Sequence, residues 1–171
     1  MAVTKGQLSV KATATQNGDN AYSDTFAPAL NEVLNLTSGT GAGQFDLIYA
    51  DERTVADGTN DDIDLAGVLA DAFGDTITFA ELVGLVVINK QSDGTANTTD
   101  LTIGGGSNPF IGFLGATHTV GPIKPGGVFT IFAGDAAGVG TVTAGTADIL
   151  RIANSAGASN TYQIAIFGRS A

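Results

Sequence analysis

The chain has 171 residues, 43% of them hydrophobic, with no cysteine, no tryptophan and a single histidine. That length supports one domain with a full hydrophobic core, and the lack of cysteine excludes disulfides and thiolate metal sites. Seventeen acids against seven bases leave a formal charge of −10, which repels nucleic-acid backbones and anionic membranes, so neither is expected as a partner.

The charge is unevenly spread. Residues 1–100 hold fifteen acids and four bases, whereas residues 101–171 hold only Asp135 and Asp148 against Lys124, Arg151 and Arg169. A nearly uncharged stretch rich in Gly, Ala and Thr is expected to be mostly core or mostly interface.

At the N-terminus, Lys5 leads into "GQLSVKATATQ" rather than an apolar segment, so no secretory signal is read there. "QLSVKATA" alternates, with Leu8, Val10 and Ala12 on the apolar side of a strand. The following "TQNGDNAYSDTFAPAL" has no clear period and contains Pro28. Residues 1–30 therefore read as an irregular N-terminal arm or docking strand, and residues 31–171 as the main domain. A strand lying on its own sheet and an arm reaching a neighbour are both open.

Alternation resumes in "EVLNLTS" (Leu34, Leu36) and "QFDLIYAD" (Phe45, Leu47, Tyr49). Next comes the acidic "DGTNDDID", with Asp57, Asp61, Asp62 and Asp64. Calcium favours such oxygen-rich clusters, but the EF-hand spacing and its closing glutamate are missing, so a solvated loop is the preferred reading over weak calcium binding. Leu65, Val68, Leu69, Ala72 and Phe73 fall at helical spacing, with Asp64 as N-cap and Gly74 as terminator, which predicts one short helix near 65–73.

"VGLVVINK" differs from its neighbours, because Leu85 to Ile88 is apolar without a break. Such a run predicts a central strand covered on both faces. "DLTIG" (Leu101, Ile103), "GVFTIFAG" (Phe129, Ile131) and "DILRIAN" (Leu150, Ile152) alternate again. "TYQIAIFG" closes the series, with Tyr162, Ile164 and Ile166 on one side and Phe167 on the other. The longest apolar stretches, "LVGLVVI" and "PFIGFLGA", are too short to span a bilayer, so a soluble protein made in a cytoplasm is expected. Many short strands separated by Gly- and Asn-rich turns predict an all-β, antiparallel sandwich or barrel.

Constellations for chemistry are sparse. "TIGGGSNPF" (Thr102–Phe110) offers three glycines after a strand, but no helix and no lysine follow as a phosphate loop requires, so it reads as a turn and no nucleotide is expected. "GTGAGQ" (Gly39–Gln44) has glutamine where a dinucleotide fingerprint needs glycine. His118, the lone histidine, excludes two-histidine metal sites and reads as a partly exposed strand residue. A Ser/His/Asp triad would rest wholly on it, and no nucleophile elbow is present. Paired carboxylates for glycoside hydrolysis are open in principle, yet the missing tryptophan and dispersed tyrosines weaken sugar binding. No catalytic residue, cofactor or metal is expected, and the chain reads as a non-enzyme.

The order "PIKPGGVFTIFAG", "TAGTADILRIAN", "TYQIAIFG" resembles small tailed-phage virion proteins, in which a "PGG" turn, a "TAGTADxLRxxN" segment and a final "YxIxIxG" strand recur. The matching positions are Pro125, Gly126 and Gly127; Asp148, Leu150, Arg151 and Asn154; and Tyr162, Ile164, Ile166 and Gly168. The likeness covers roughly residues 62–168, and its motifs are structural rather than catalytic. It implies a jelly-roll-like sandwich and a capsid decoration or cement protein on the virion exterior, made in the host bacterial cytoplasm. The implied partners are the phage major capsid protein and further copies of the chain, as a trimer or dimer. A receptor-binding, head-fibre or tail module is the alternative. For the shell-binding role Lys5, Lys11, Tyr22 and Phe26 of the N-terminal stretch are the candidate partner contacts, through strand addition to an exposed edge or groove on the shell, whereas the receptor-binding alternative would use the loops to grip host glycan.

Overall fold

The computed structural model describes residues 3–17, 25–26, 29–67, 69–115 and 118–171, and nearly every alternating segment in them is a strand. The N-terminal part comprises β1 (Lys5–Thr13), β2 (Gln16–Asn17), β3 (Thr25–Phe26) and β4 (Ala29–Ser38). The body runs through β5 (Gln44–Phe45), β6 (Leu47–Val55), β7 (Asn60–Asp64), β8 (Leu69–Ala70), β9 (Thr76–Ile77), β10 (Glu81–Ile88) and β11 (Leu101–Gly104). It is completed by β12 (Thr119–Ile123), β13 (Val128–Phe132), β14 (Gly140–Thr141), β15 (Ile149–Asn154) and β16 (Asn160–Arg169).

Two sheets form the body. One has the order β13-β10-β16-β6, with β14 alongside β10, and the other has the order β12-β11-β15-β7. Pairing within both is antiparallel throughout. Period-2 alternation gives each sheet one apolar face, and the two faces meet in a single core. Leu85, Val87, Ile164 and Ile166 come from the first sheet; Ile63, Leu101, Ile103, Leu150 and Ile152 come from the second. Burying each such side chain stabilises the fold by about 2 kcal/mol. The architecture is therefore all-β and sandwich-like.

The unbroken run in β10 is covered on both faces only in part, since Val86 and Ile88 on its outer side stay half-buried. Leu85 and Val87 face the common core, while Val83 joins a second cluster on the outer side. A bulge between Leu82 and Gly84 makes room for Val83, the extra residue opposite β16. What covers that outer side is the base of the N-terminal segment, through Leu8 and Leu36.

The helix expected near 65–73 is not formed. Residues 65–67 make a turn, and β8 and β9 form a small hairpin in register Leu69↔Ile77. Local and long-range hydrogen bonds outcompete the helical ones here. Asp64 accepts from Ala66 N at 2.9 Å in an Asx-type turn, and Leu65 spends its own amide on Asp148 and its carbonyl on Phe79. Asp71 accepts from Phe73 N and Asp75 N, which shapes the hairpin tip and holds its carboxyl below the usual range. Leu65 and Leu69 are core residues as expected, but Phe73 is 67% exposed at that tip.

Buried polar groups cluster at the two ends of β10. Asn89, fully buried after β10, donates to the carbonyls of Thr99 and Ile123 and accepts from Asn97 and Asn160. At the other end Arg169, 1% exposed, donates to Glu81 and to the carbonyls of Gln44, Asp135 and Ala136. Among the described residues no helix is long and apolar enough to cross a membrane.

Candidate functional site

The arm is more regular than its sequence implies. β1 and β4 pair antiparallel over nine rungs, from Lys5↔Thr37 to Thr13↔Ala29, without a bulge. The pairing of β2 with β3 continues the same register, since Gln16 lies opposite Phe26 three steps beyond Thr13↔Ala29. The nine-rung ribbon alone is about 30 Å long at the usual strand rise. Its return strand starts at Ala29, so the excursion read at residues 1–30 is paired with residues read as the domain.

Period-2 alternation gives this ribbon two unlike faces. Leu8↔Leu34, Val10↔Glu32 and Ala12↔Leu30 share one face; Gln7↔Asn35, Ser9↔Val33 and Lys11↔Asn31 share the other. The first face is apolar except for Glu32. At its base it packs on the outer side of the five-stranded sheet, where Leu8, Leu36, Phe45 and Val83 form a cluster joined by Phe132 and Phe167. Phe45 and Phe167 have ring centroids 5.7 Å apart in a tilted contact. Leu8 lies directly over Gly84, where a Cβ would come within 2.7 Å of Leu8 Cδ1, and Leu34 lies over Gly134 just as closely.

Beyond Leu8 and Leu34 the ribbon leaves the body. Val10 is 41% and Leu30 75% exposed, although both lie on the same apolar face as the buried residues. Along β4, pairing with β5 reaches only Thr37 and Ser38, so the outer part of the ribbon has two open edges among the described residues. Open strand edges can pair with another chain, and an uncovered apolar face can pack against one. A two-stranded ribbon with no third strand and no packing partner is marginal in water on its own.

Of the four candidate contact residues, Lys5 and Lys11 are both exposed on the polar face, one near the base and one on the outer half. Phe26 lies in β3 opposite Gln16, on the extension of the ribbon, and Tyr22 falls outside the described residues. The structure thus places Lys5, Lys11 and the backbone of Phe26 along one element.

The acidic cluster does not converge on one point. Asp61 faces inward from β7 and takes both nitrogens of the Arg53 fork at 2.6 Å and the Tyr162 hydroxyl at 2.7 Å, tying the two sheets together. Arg53 also donates to the Tyr49 hydroxyl, and the bond to Asp61 raises the guanidinium pKa further. Burial pushes the Tyr162 phenol well up, with the Asp61 charge and hydrogen bond adding to it. Asp62, the next residue, faces outward and forms a two-pronged pair with Arg151 at 2.6 Å, which holds its carboxyl below the usual range. Asp57 accepts from Gly157 N, and Asp64 makes the turn already described. Among the described residues no three acids or histidines are grouped so as to hold a metal.

The glycine run serves packing. Gly104, Gly105 and Gly106 all have positive φ, and a Cβ at Gly106 would sit 2.6 Å from Arg151 Cζ, so the turn wraps the Arg151–Asp62 pair. His118 is exposed just before β12, and its carbonyl approaches Gly104. The residues that carry the phage resemblance also have structural tasks: Pro125–Gly127 turn β12 into β13, and Asn154 donates to the carbonyls of Ala56 and Ala158. Sequence reading missed Arg169 and the Asn89–Asn97–Asn160 group; Asn89, Asn160 and Arg169 stand at the ends of apolar runs, but Asn97 lies in a turn-rich stretch with no such sign. Comparison with known proteins gave no match: no family model, no curated protein and no solved structure is similar to this chain.

Proposed function

We propose that this protein is a non-enzymatic structural component of a tailed-phage particle, a jelly-roll decoration protein that binds the assembled shell and stabilises it. The observation that carries the reading is the ribbon leaving the body with open edges, an exposed apolar face and Lys5 and Lys11 on the other side. Strand addition along such an edge gives affinity through the backbone and selectivity through alternate side chains. The sheet orders β13-β10-β16-β6 and β12-β11-β15-β7 support the jelly roll, since two interlocked Greek keys of eight strands produce that interleaving. Together with the "PGG", "TADILRIAN" and "YQIAIFG" segments, this favours a shell-binding role.

A ligand that binds only the closed lattice lowers its free energy relative to the open one, and many symmetric copies multiply a modest contact. Particles lacking the protein are expected to assemble but to release DNA at a lower temperature than complete ones. Adding the full chain restores heat resistance, and adding a chain with residues 9–33 replaced by a short turn does not. Equal heat resistance with and without the protein rules the proposal out.

A further inference from the structure

We infer that β13, at one edge of the five-stranded sheet, pairs with the β13 of a second copy of this chain, antiparallel and centred on Thr130, so that the two sheets become one. This edge is not part of the shell-binding ribbon, and the contact holds whatever particle the protein serves.

The outermost strands of the two body sheets are β13 and β6 in one, β12 and β7 in the other, and they are unlike. β6 carries Asp51, Glu52 and Arg53, and β7 carries Asp61, Asp62 and Asp64. β12 contains Pro122, which has no amide to give, and its register shifts against β11. Charge, proline and irregular register are the usual protections of a strand edge against pairing with another chain. β13 has none of them. Its residues, Val128–Phe132, read VFTIF; they pair with β10 in unbroken register, and none of the five side chains is buried. Val128 is 59% exposed although its strand belongs to the main sheet. An uncharged, apolar edge in regular register is a template for another strand.

Hydrogen-bond parity fixes how that strand must lie. Ala133 N donates to Val83 O and Asn89 N to Gly127 O, both at 2.9 Å and in step with the β10 ladder. Bonded pairs alternate along an antiparallel ladder, so Phe129 and Ile131 direct their backbone groups to β10. Those of Val128, Thr130 and Phe132 point away, and no described strand pairs with that edge. A two-fold axis at Thr130 sets Val128 against the other copy's Phe132 and Thr130 against its own counterpart. Each outward amide then meets an outward carbonyl, in about six bonds. On the inner face Phe129, already in tilted contact with Phe113 at 5.5 Å between ring centroids, lies opposite the other copy's Ile131. Aromatic against β-branched is a favourable cross-strand pair. Charge selects the same direction. The nearest charges in sequence are Lys124 before the strand and Asp135 after it, both exposed. Antiparallel pairing brings Lys124 of each copy toward Asp135 of the other, whereas parallel pairing sets like against like.

The test uses the full chain, whose sequence has no cysteine. By light scattering the wild type is expected to be a dimer. Thr130→Lys, which sets two like charges on the axis, is expected to be a monomer with an unchanged circular dichroism spectrum. Thr130→Cys is expected to link to itself on mild oxidation, because the two Cα atoms lie about 5.5 Å apart. Val128→Cys is expected not to, although it is well exposed, since its two copies lie about 14 Å apart along the strands. A measurement on the wild type needs no variant to fold. The Thr130 amide is expected to exchange with solvent on the order of tenfold faster on dilution, while the Phe129 and Ile131 amides stay slow. Four results overturn the inference: a wild-type monomer at all accessible concentrations, a trimer (which a two-fold contact cannot close), equal self-linking of Val128→Cys and Thr130→Cys, or Thr130 exchange that ignores concentration. A dimer of this kind that gives particles no heat resistance removes the proposed function and leaves this contact standing.

Discussion

Asp61 and Asp62 are adjacent, yet one is a rivet through the sandwich and the other a pair on its surface, because neighbouring residues on a strand face opposite ways. The inward carboxylate is matched by Arg53 and Tyr162 from the facing sheet. Tyr162→Phe removes one hydrogen bond to that carboxylate and is expected to cost about 2 kcal/mol at neutral pH. The sign of its pH dependence follows from the raised phenol pKa. The folded phenol stays protonated where the unfolded one, with a pKa of about 10, ionises, so its stabilisation is complete below that pH and is lost as pH rises through the folded value. The stability gap between wild type and Tyr162→Phe should therefore narrow in alkaline denaturation series. A gap that stays constant would mean that the hydroxyl is not held against Asp61. In the sequence the acidic cluster was visible and its division was not, because the partners lie on three different strands. Arg53 and Tyr49 share a strand face four residues apart, but nothing local says that Tyr162 meets them.

At the scale of elements, the arm is seated where the lack of a side chain at Gly84 leaves room for Leu8. Gly84→Ala places a methyl group 2.7 Å from Leu8 Cδ1 and 3.3 Å from Phe132 Cβ. Over-packing of this kind costs about 1–2 kcal/mol, read as a shift in urea midpoint. In a Leu8→Ala background the cost should fall, since the two changes share one contact. An undiminished cost there would show that the arm is not seated on Gly84. Strands with strict alternation, such as β15 and β16, were legible in residue order because burial on one face writes that period directly. β10 was legible for the complementary reason, apolar residues on both faces, although Val86 and Ile88 on the outer side stay half-buried. The segment from Leu65 to Phe73 misled because a turn, one short strand and a hairpin tip happened to place apolar residues at helical spacing. A turn stabilised by Asp64 and a hairpin tip stabilised by Asp71 outweigh a weak helical preference already lowered by Gly67. The apolar half of β1 was legible as well, but not which part of it the body would cover.

For the whole molecule, β16 lies between β10 and β6, and it meets both in long antiparallel ladders. Phe167 on its outer face is also part of the seat for the arm. Segments far apart in the sequence therefore meet, and few of the sheet contacts are local. Chains emerge N-terminus first, and contacts of large sequence separation form slowly. Until residues 160–169 are available, β6 and β10 have no common neighbour and the ribbon has an incomplete platform. Nascent chains ending before Asn160 are expected to be cut rapidly by protease along their whole length, and chains extended past Arg169 to become resistant in one step. Gradual resistance, strand by strand, would show that the sheets assemble without their central member. The insertion of this strand is thus the event that commits the polypeptide, and a sticky ribbon is kept waiting during synthesis until its platform is whole.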